Sequence, residues 1–350
     1  MNPNKIISED IDRILSADLP WEDFRDATVL VTGASGFLPA YLVECLSELS
    51  ARGYGTKIIG LVRNISKARE RFPHLQRAGC LSLIAHDVSL PFPMDLPKAD
   101  YIIHAASQAS PKFFGIDPVG TITANTFGTA YTLEFGRRTG TRGFLFFSSG
   151  EVYGIPKESN IPVSEEQYGY LDLGDVRSCY AESKRCGEAM CVSWAHQFGL
   201  PAKIVRPFHT YGPGMALDDG RVYADFVADV IARRNIVLKS EGADLRSFCY
   251  LADATVGFLG VLLKGESGYA YNVANPNAEV SIAELANVVA RLFPERRLTV
   301  VRETRPAGTA YLRSPLKRAL PSIERIARLG WAPTTSIRDG FHRTVESYGL

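Results

Sequence analysis

"ATVLVTGASGFLPAYL", residues 27–42, is the stretch on which the fold turns. Its first part, "ATVLVTG" (27–33), is a short apolar run rich in β-branched residues and reads as a buried strand. It runs into Gly33 and Gly36, and a helix follows to about Arg52. Strand, glycine turn, helix is the context in which a Gly-rich loop receives a dinucleotide pyrophosphate. Gly33 permits the tight turn. Gly36 lets the backbone approach an anion at the helix N-terminus, where free N–H groups and the dipole favour negative charge. Ser35, Phe37 and Leu38 complete the candidate cofactor loop. Pro39 stands where a third glycine usually falls. In a first helical turn its missing N–H breaks no hydrogen bond and its fixed φ suits the helix, so the loop should still fold.

Outward from this loop, strands and helices alternate. "KIIGLV" (57–62), "LSLIAHD" (81–87), "ADYIIHAA" (99–106), "RGFLFFSS" (142–149) and "AKIVRP" (202–207) read as strands two to six. Helices are expected over 125–138 and 178–199. The alternation implies an α/β fold: a doubly wound, mainly parallel Rossmann-type sheet over residues 27–207. Residues 1–26 form an N-terminal helical extension, with Ser8 as its candidate cap and Ile11, Ile14 and Leu15 on one face. Residues 208–350 form a smaller, mainly substrate-binding part that can recross into the sheet. Helices are expected there over 221–234, 281–293 and 336–347, with short strands between.

The bulk numbers exclude several classes of function. The chain has 350 residues, 46% hydrophobic and 22% charged, with a net charge of +1. No basic excess points to nucleic acid, and no polybasic tract points to an anionic membrane surface. No run approaches the ~18 apolar residues of a membrane span. The six cysteines show no C-x-x-C pair and no Cys/His group with zinc spacing, so no metal site is expected. Reduced thiols, and acidic residues where a signal peptide would be apolar, set the expected location as the cytoplasm.

The chemistry gathers in two segments. In "YAESK", Tyr180 and Lys184 are four residues apart and share a helix face. A nearby ammonium, with the positive ring of an oxidised nicotinamide, favours the phenolate, which can take a proton from a substrate alcohol. "FSSGEVYG" (147–154) ends strand five. It places Ser149 at the sheet's carboxyl edge to hydrogen-bond the same alcohol, with Gly150 beside it and Glu151 as a base or a charge beside the substrate.

Taken in order, "VTGASGF", "HDV", "HAAS", "NTFGT", "SSGEVYG", "YAESK", "RPFHTYGPGM", "RSFCYLADA" and "YNVANP" resemble the extended short-chain dehydrogenase/reductase family. Within it they resemble the nucleotide-sugar epimerases, dehydratases and decarboxylases, and look most like UDP-glucuronate decarboxylases. The resemblance implies a catalytic set of Ser149, Tyr180 and Lys184. It places Asn125 in support of the lysine, Asp87 and Val88 at the adenine, and Ala105 and Ala106 along the middle of the cofactor, with Pro207 at the end of strand six. Ser107, His209, Arg221 and Arg246 become substrate contacts. Arg313 and Arg318 compete for a later phosphate-binding role. A homodimer through the 125–138 and 178–199 helices is the family expectation. Three positions depart from the pattern: Gly150 replaces a dehydratase aspartate, Gly214 a decarboxylase arginine, and His209 an asparagine.

The resemblance also implies a transient 4-keto sugar on a tightly held NAD or NADP recycled within each cycle. Epimerisation, dehydration or decarboxylation can follow; Glu151 favours an epimerase/dehydratase acting near C5, with UDP-glucuronate decarboxylation as the alternative. A net NADPH-dependent keto-sugar reductase and an idle NAD(P)-binding regulator are further readings. A UDP-sugar is the favoured substrate. NAD-binding relatives carry an acid at the end of strand two. Here Arg63 stands there, to meet a 2′-phosphate or stack on adenine.

Overall fold

The computed structural model describes residues 2–303 and 316–349. Seven strands form one all-parallel sheet: β1 (Thr28–Thr32), β2 (Lys57–Val62), β3 (Leu81–Ala85), β4 (Tyr101–His104), β5 (Gly143–Phe147), β6 (Ala202–Pro207) and a late strand, Ala270–Val273, in the order late strand-β6-β5-β4-β1-β2-β3. β1, β4, β5 and β6 are almost wholly buried, which is why they read as continuous apolar runs rather than alternating ones. The strand order turns back on itself beside β1. In doubly wound sheets a ligand sits in the crevice outside the strand carboxyl ends at that point.

Helices cover both faces. Helix α1 spans Lys5–Leu15, α2 Phe37–Leu49, α3 Ile65–Arg71, α4 Pro118–Thr139 and α5 Ser178–Phe198. α4 and α5 pack side by side on one face. α2 and the helix α7 (Leu251–Lys264, following α6, Val222–Ile231) lie on the other, with α1 across them. α1 begins earlier than its expected cap: Asn4 Oδ1 accepts the Ile7 N–H at 3.2 Å, so Ser8 lies inside the helix. α4 also begins earlier than expected, because Asp117 caps it and Pro118 sits at its first position.

The remaining chain builds a cover over the carboxyl edge. Four short strands, β7 (His209–Tyr211), β9 (Leu245–Tyr250), β11 (Glu279–Ser281) and β13 (Arg318–Ala319), form a small mixed sheet centred on β9. Between these in chain order come β8 (Ile236–Leu238), β10 (the late strand Ala270–Val273) and β12 (Val300–Arg302), with β8 and β12 paired. Helices α6, α8 (Ile282–Ala290) and α10 (Ile337–Glu346) pack around them, and the short α9 (Glu324–Ala327) packs on β10. No helix among the described residues is long and apolar enough to cross a membrane.

Candidate active site

The loop after β1 is a cradle with little room. Gly33 has φ +65°, and a Cβ there would lie 2.8 Å from the Ala106 Cα. Thr32 Oγ1 holds that neighbouring segment by accepting the Ala105 and Ala106 N–H groups, each at 3.1 Å. Gly36 is the N-cap of α2 and offers no side-chain cap, which leaves first-turn N–H groups to a ligand. Pro39 occupies the third helical position and packs on Gly36, where a Cβ would come within 3.2 Å of its ring. Ser35, Phe37 and Leu38 line the same turn. At the neighbouring strand ends stand Arg63, which is exposed, and Asp87, whose carboxylate accepts the Ser89 N–H and hydroxyl at 2.9 and 2.6 Å. The Ser89 bonds hold the Asp87 carboxyl below the usual range. Ala105 and Ala106 follow the end of β4, Val88 follows Asp87, and Pro207 ends β6. The residues present fit a dinucleotide: a narrow glycine turn, an uncapped helix start and an acid at the third strand end.

Beside the cradle, Tyr180 is buried and stacks on Phe114, ring centroids 4.8 Å apart. Burial raises its pKa; a hydrogen bond from Ser149 and the charge of Arg221 pull the other way, and Glu151 adds to the rise. Lys184 is also buried, its ammonium 5.9 Å from the Tyr180 ring centroid and donating to the Phe147 carbonyl at 2.6 Å. Burial pushes its pKa down to about 7, against the pull of Glu188. The expected phenolate is therefore not produced by the protein's own groups, because desolvation outweighs them. The remaining cation in that expectation is the oxidised nicotinamide ring. Asn125 donates to the Ser183 hydroxyl at 3.0 Å rather than bonding Lys184, and its Oδ1 has no partner.

One turn beyond Lys184, Glu188 accepts from Ser148 and, at 2.8 and 2.6 Å, from the guanidinium of Arg206. That buried knot ties α5 to the ends of β5 and β6. Ser149 caps the short turn Gly150–Tyr153 by accepting the Glu151 N–H at 3.2 Å. A side chain at Gly150 would press on the Phe208 ring at 2.9 Å, so the aspartate of a dehydratase has no room here.

The substrate candidates divide. Arg221, at the start of α6, bonds Asp219 at 2.5 Å and the Ala109 carbonyl at 2.8 Å, and its charge reaches Tyr180. Arg246 holds the Leu316 and Lys317 carbonyls at 2.6 and 3.2 Å, and after burial its charge is the next cause that depresses the His209 pKa. Arg318 is not brought together with Arg246. The register opposes Arg318 to Leu245 and Ala319 to Arg246, so the two arginines point to opposite faces of the strand pair, and Arg318 pairs with Glu279. Arg313 lies outside the described residues. Buried atoms without a partner include Ser107 Oγ, Asn125 Oδ1, His209 Nδ1 and Arg177 Nε, four polar atoms from segments that meet at this edge. Each such atom costs about 1–3 kcal/mol unless a ligand pairs it.

Two neighbours of the candidate residues went unread in the sequence. Arg177, three residues before Tyr180, forms an ion pair with Glu151 at 3.0 Å. Arg71 from α3 lies against Gly214, whose φ is +76° and where any side chain would strike the guanidinium. The only signal for the first was its spacing from Tyr180. The second had none, because α3 and the Gly214 loop meet only in the folded chain.

Residues 29–274 match the model of the NAD dependent epimerase/dehydratase family. The chain belongs to that family. It is thus an NAD-dependent enzyme that modifies nucleotide sugars. Among curated relatives, UDP-glucuronic acid decarboxylase 1 of Arabidopsis thaliana is 35% identical, over 91% of this chain and 69% of the relative. UDP-glucuronic acid decarboxylase 6 of the same plant is 34% identical, over 92% and 89%. The fold is shared with UDP-glucose 4-epimerase of Thermotoga maritima (TM-score 0.77, 21% identity, 92% and 98% covered). It is shared as well with UDP-glucuronic acid 4-epimerase of Bacillus cereus, solved with UDP-glucuronic acid and NAD (TM-score 0.76, 22% identity, 91% and 98% covered).

Proposed function

We propose that this enzyme decarboxylates UDP-glucuronate through a 4-keto sugar, with Tyr180 as base, Ser149 and Lys184 assisting, and NAD tightly bound and recycled. The observation that carries it is the pair Glu151–Arg177 set beside Ser149 and Tyr180. Its family relatives named as UDP-glucuronic acid decarboxylases support the same outcome. Glu151 is ion-paired rather than free, and Gly150 leaves no space for a second acid, so the geometry favours loss of a carboxylate over elimination of water.

NAD, when bound, accepts and returns the hydride at C4. Tyr180 takes the C4 hydroxyl proton, with the Ser149 hydroxyl holding the oxygen in line. The resulting ketone stands β to the C5 carboxylate. When carbon dioxide leaves, the electron pair of the broken C–C bond becomes an enolate, whose oxygen the Ser149 and Tyr180 hydroxyls stabilise. C5 then takes a proton from solvent, and Tyr180 returns its proton to O4 as the ketone is reduced. Arg63, exposed at the end of β2, would meet the adenosine end of the bound NAD. A cytoplasmic location is supported by six unpaired cysteines. A homodimer is supported by the apolar outer faces of α4 and α5.

Incubation with UDP-glucuronate, UDP-glucose, UDP-N-acetylglucosamine, dTDP-glucose and GDP-mannose, followed by mass spectrometry, tests the reading. UDP-glucuronate alone should lose the mass of carbon dioxide, and Tyr180→Phe should lower that rate about 10²–10⁴-fold. Loss of water, or unchanged mass with an altered NMR coupling pattern, would assign a different outcome. Full activity in Tyr180→Phe would refute the role of the tyrosine.

A further inference from the structure

The three catalytic candidates stand on two elements that have to be held in register: Tyr180 and Lys184 on α5, and Ser149 just past the end of β5. One tie between the elements is direct, from the Lys184 ammonium to the Phe147 carbonyl at 2.6 Å. A second lies one turn further along α5. There Glu188 accepts the hydroxyl of Ser148, the residue between that carbonyl and the catalytic serine. The Glu188 carboxylate also takes Arg206 Nε and Nη2 at 2.8 and 2.6 Å. Arg206 in turn donates to the Tyr153 hydroxyl at 2.8 Å. Tyr153 ends the short turn that Ser149 opens. Glu188 therefore grips the serine from its N-terminal neighbour and, through Arg206, from the far end of its turn.

Stability alone is a poor reason for this knot. Ser148, Glu188 and Arg206 are all buried, and the desolvation of a buried ion pair offsets most of its attraction. What charge-assisted hydrogen bonds add over apolar packing is fixed distance and direction. Ser149 needs both. Its own local tie is one contact from the Glu151 N–H at 3.2 Å, at the long end of the hydrogen-bond range.

We infer that Glu188 is a positioning residue for the proton transfer at C4: through Ser148 it sets the Ser149 hydroxyl against Tyr180 and Lys184. The inference rests on the catalytic set proposed above, and it applies to any net outcome that begins with oxidation at C4. The charge of Glu188 has a separate effect. Burial pushes the Lys184 pKa down to about 7, and Glu188 opposes that fall. The groups facing the ammonium are Tyr180, Glu188 and Cys191 of α5, His104 of β4, and the Phe146 ring and Phe147 carbonyl of β5, with Arg206 of β6 behind Glu188.

The test compares wild type, Ser148→Ala and Glu188→Gln as NAD-saturated full chains, on whichever of the nucleotide sugars above the wild type turns over. Ser148→Ala cuts the tie and leaves the ion pair. Its kcat should fall ~10–100-fold, the span for a misplacement on the order of 1 Å, with KM and the alkaline limb of the kcat profile unmoved. Glu188→Gln keeps an acceptor for Ser148 but removes the charge. The Lys184 pKa then falls further, so the alkaline limb should move to lower pH. A limb that stays while kcat falls keeps the positioning role and removes the charge effect. Wild-type kcat in Ser148→Ala overturns the inference. So does a loss carried by KM or by NAD affinity with kcat kept, which marks a structural brace. If Glu188→Gln does not fold, Ser148→Ala decides alone. Wild type that turns over none of the sugars removes the catalytic set and this inference together. Wild-type turnover that survives unchanged in both variants removes the inference alone.

Discussion

His104, at the end of β4, shows how one side chain sets a pH dependence. Its ring lies among Thr32, Thr129 and Thr132, at 2.9, 3.2 and 3.3 Å, and is almost wholly buried. Burial, with the charge of Lys184 second, pushes its pKa down to about 3 from 6.5. Between those values the unfolded chain binds a proton that the folded chain refuses. Stability therefore rises with pH across this window and is lost as the pH falls below 6.5. At pH 5 the loss from His104 is about 2 kcal/mol. Urea unfolding of wild type and His104→Asn between pH 7.5 and 4.5 should give a shallower pH slope in the variant. Part of the slope will survive, because His209, pushed down to about 3 by burial and by Arg246 and Arg221, titrates in the same sense. An identical slope in the two proteins would assign the acid sensitivity elsewhere.

Among elements, the β1–α2 turn was the most legible and α7 the least. Gly33 could be read because a left-handed turn between strand and helix leaves few residue choices. Pro39 could be read as harmless because the third helical position needs no N–H. Gly33→Ala should expose how tight the cradle is: the positive φ and the 2.8 Å approach to Ala106 both oppose a methyl group. We expect a loss of about 1–3 kcal/mol of stability and at least a ~10-fold drop in NAD affinity, by thermal melts and calorimetry. NAD binding at wild-type strength would show that the pyrophosphate does not approach this turn. α7 escaped the periodic reading because nearly every residue from Leu251 to Leu262 is buried, so no polar face marks its period. α4 was read seven residues short, although Asp117–Pro118 is a helix-start signal.

At the scale of the whole molecule, the open question is what covers the α4–α5 face. Ile122, Phe127 and Val192 are 42%, 55% and 46% exposed on helices whose other sides are packed on the sheet. A second copy of the chain would bury them. Light scattering should find wild type as a dimer at micromolar concentration and Phe127→Glu as a folded monomer. A monomeric wild type would contradict the proposed dimer. α1 belongs to the same scale: its buried Asp10 meets Tyr41 at 3.1 Å, Tyr250 at 2.6 Å and Arg343 at 2.8 Å, joining α1 to α2, β9 and α10.

The sequence by itself determined the doubly wound sheet, the glycine loop and the pairing of Tyr180 with Lys184. Each is written within a few neighbouring residues, as a period, a turn or a four-residue helix spacing. Only the tertiary structure decided what those groups experience. It set Arg177 on Glu151 across 26 residues, placed Arg71 in the space that Gly214 leaves, and turned Arg318 away from Arg246. It also raised the Tyr180 pKa where the sequence suggested a phenolate, because burial belongs to the packed molecule and not to any local motif.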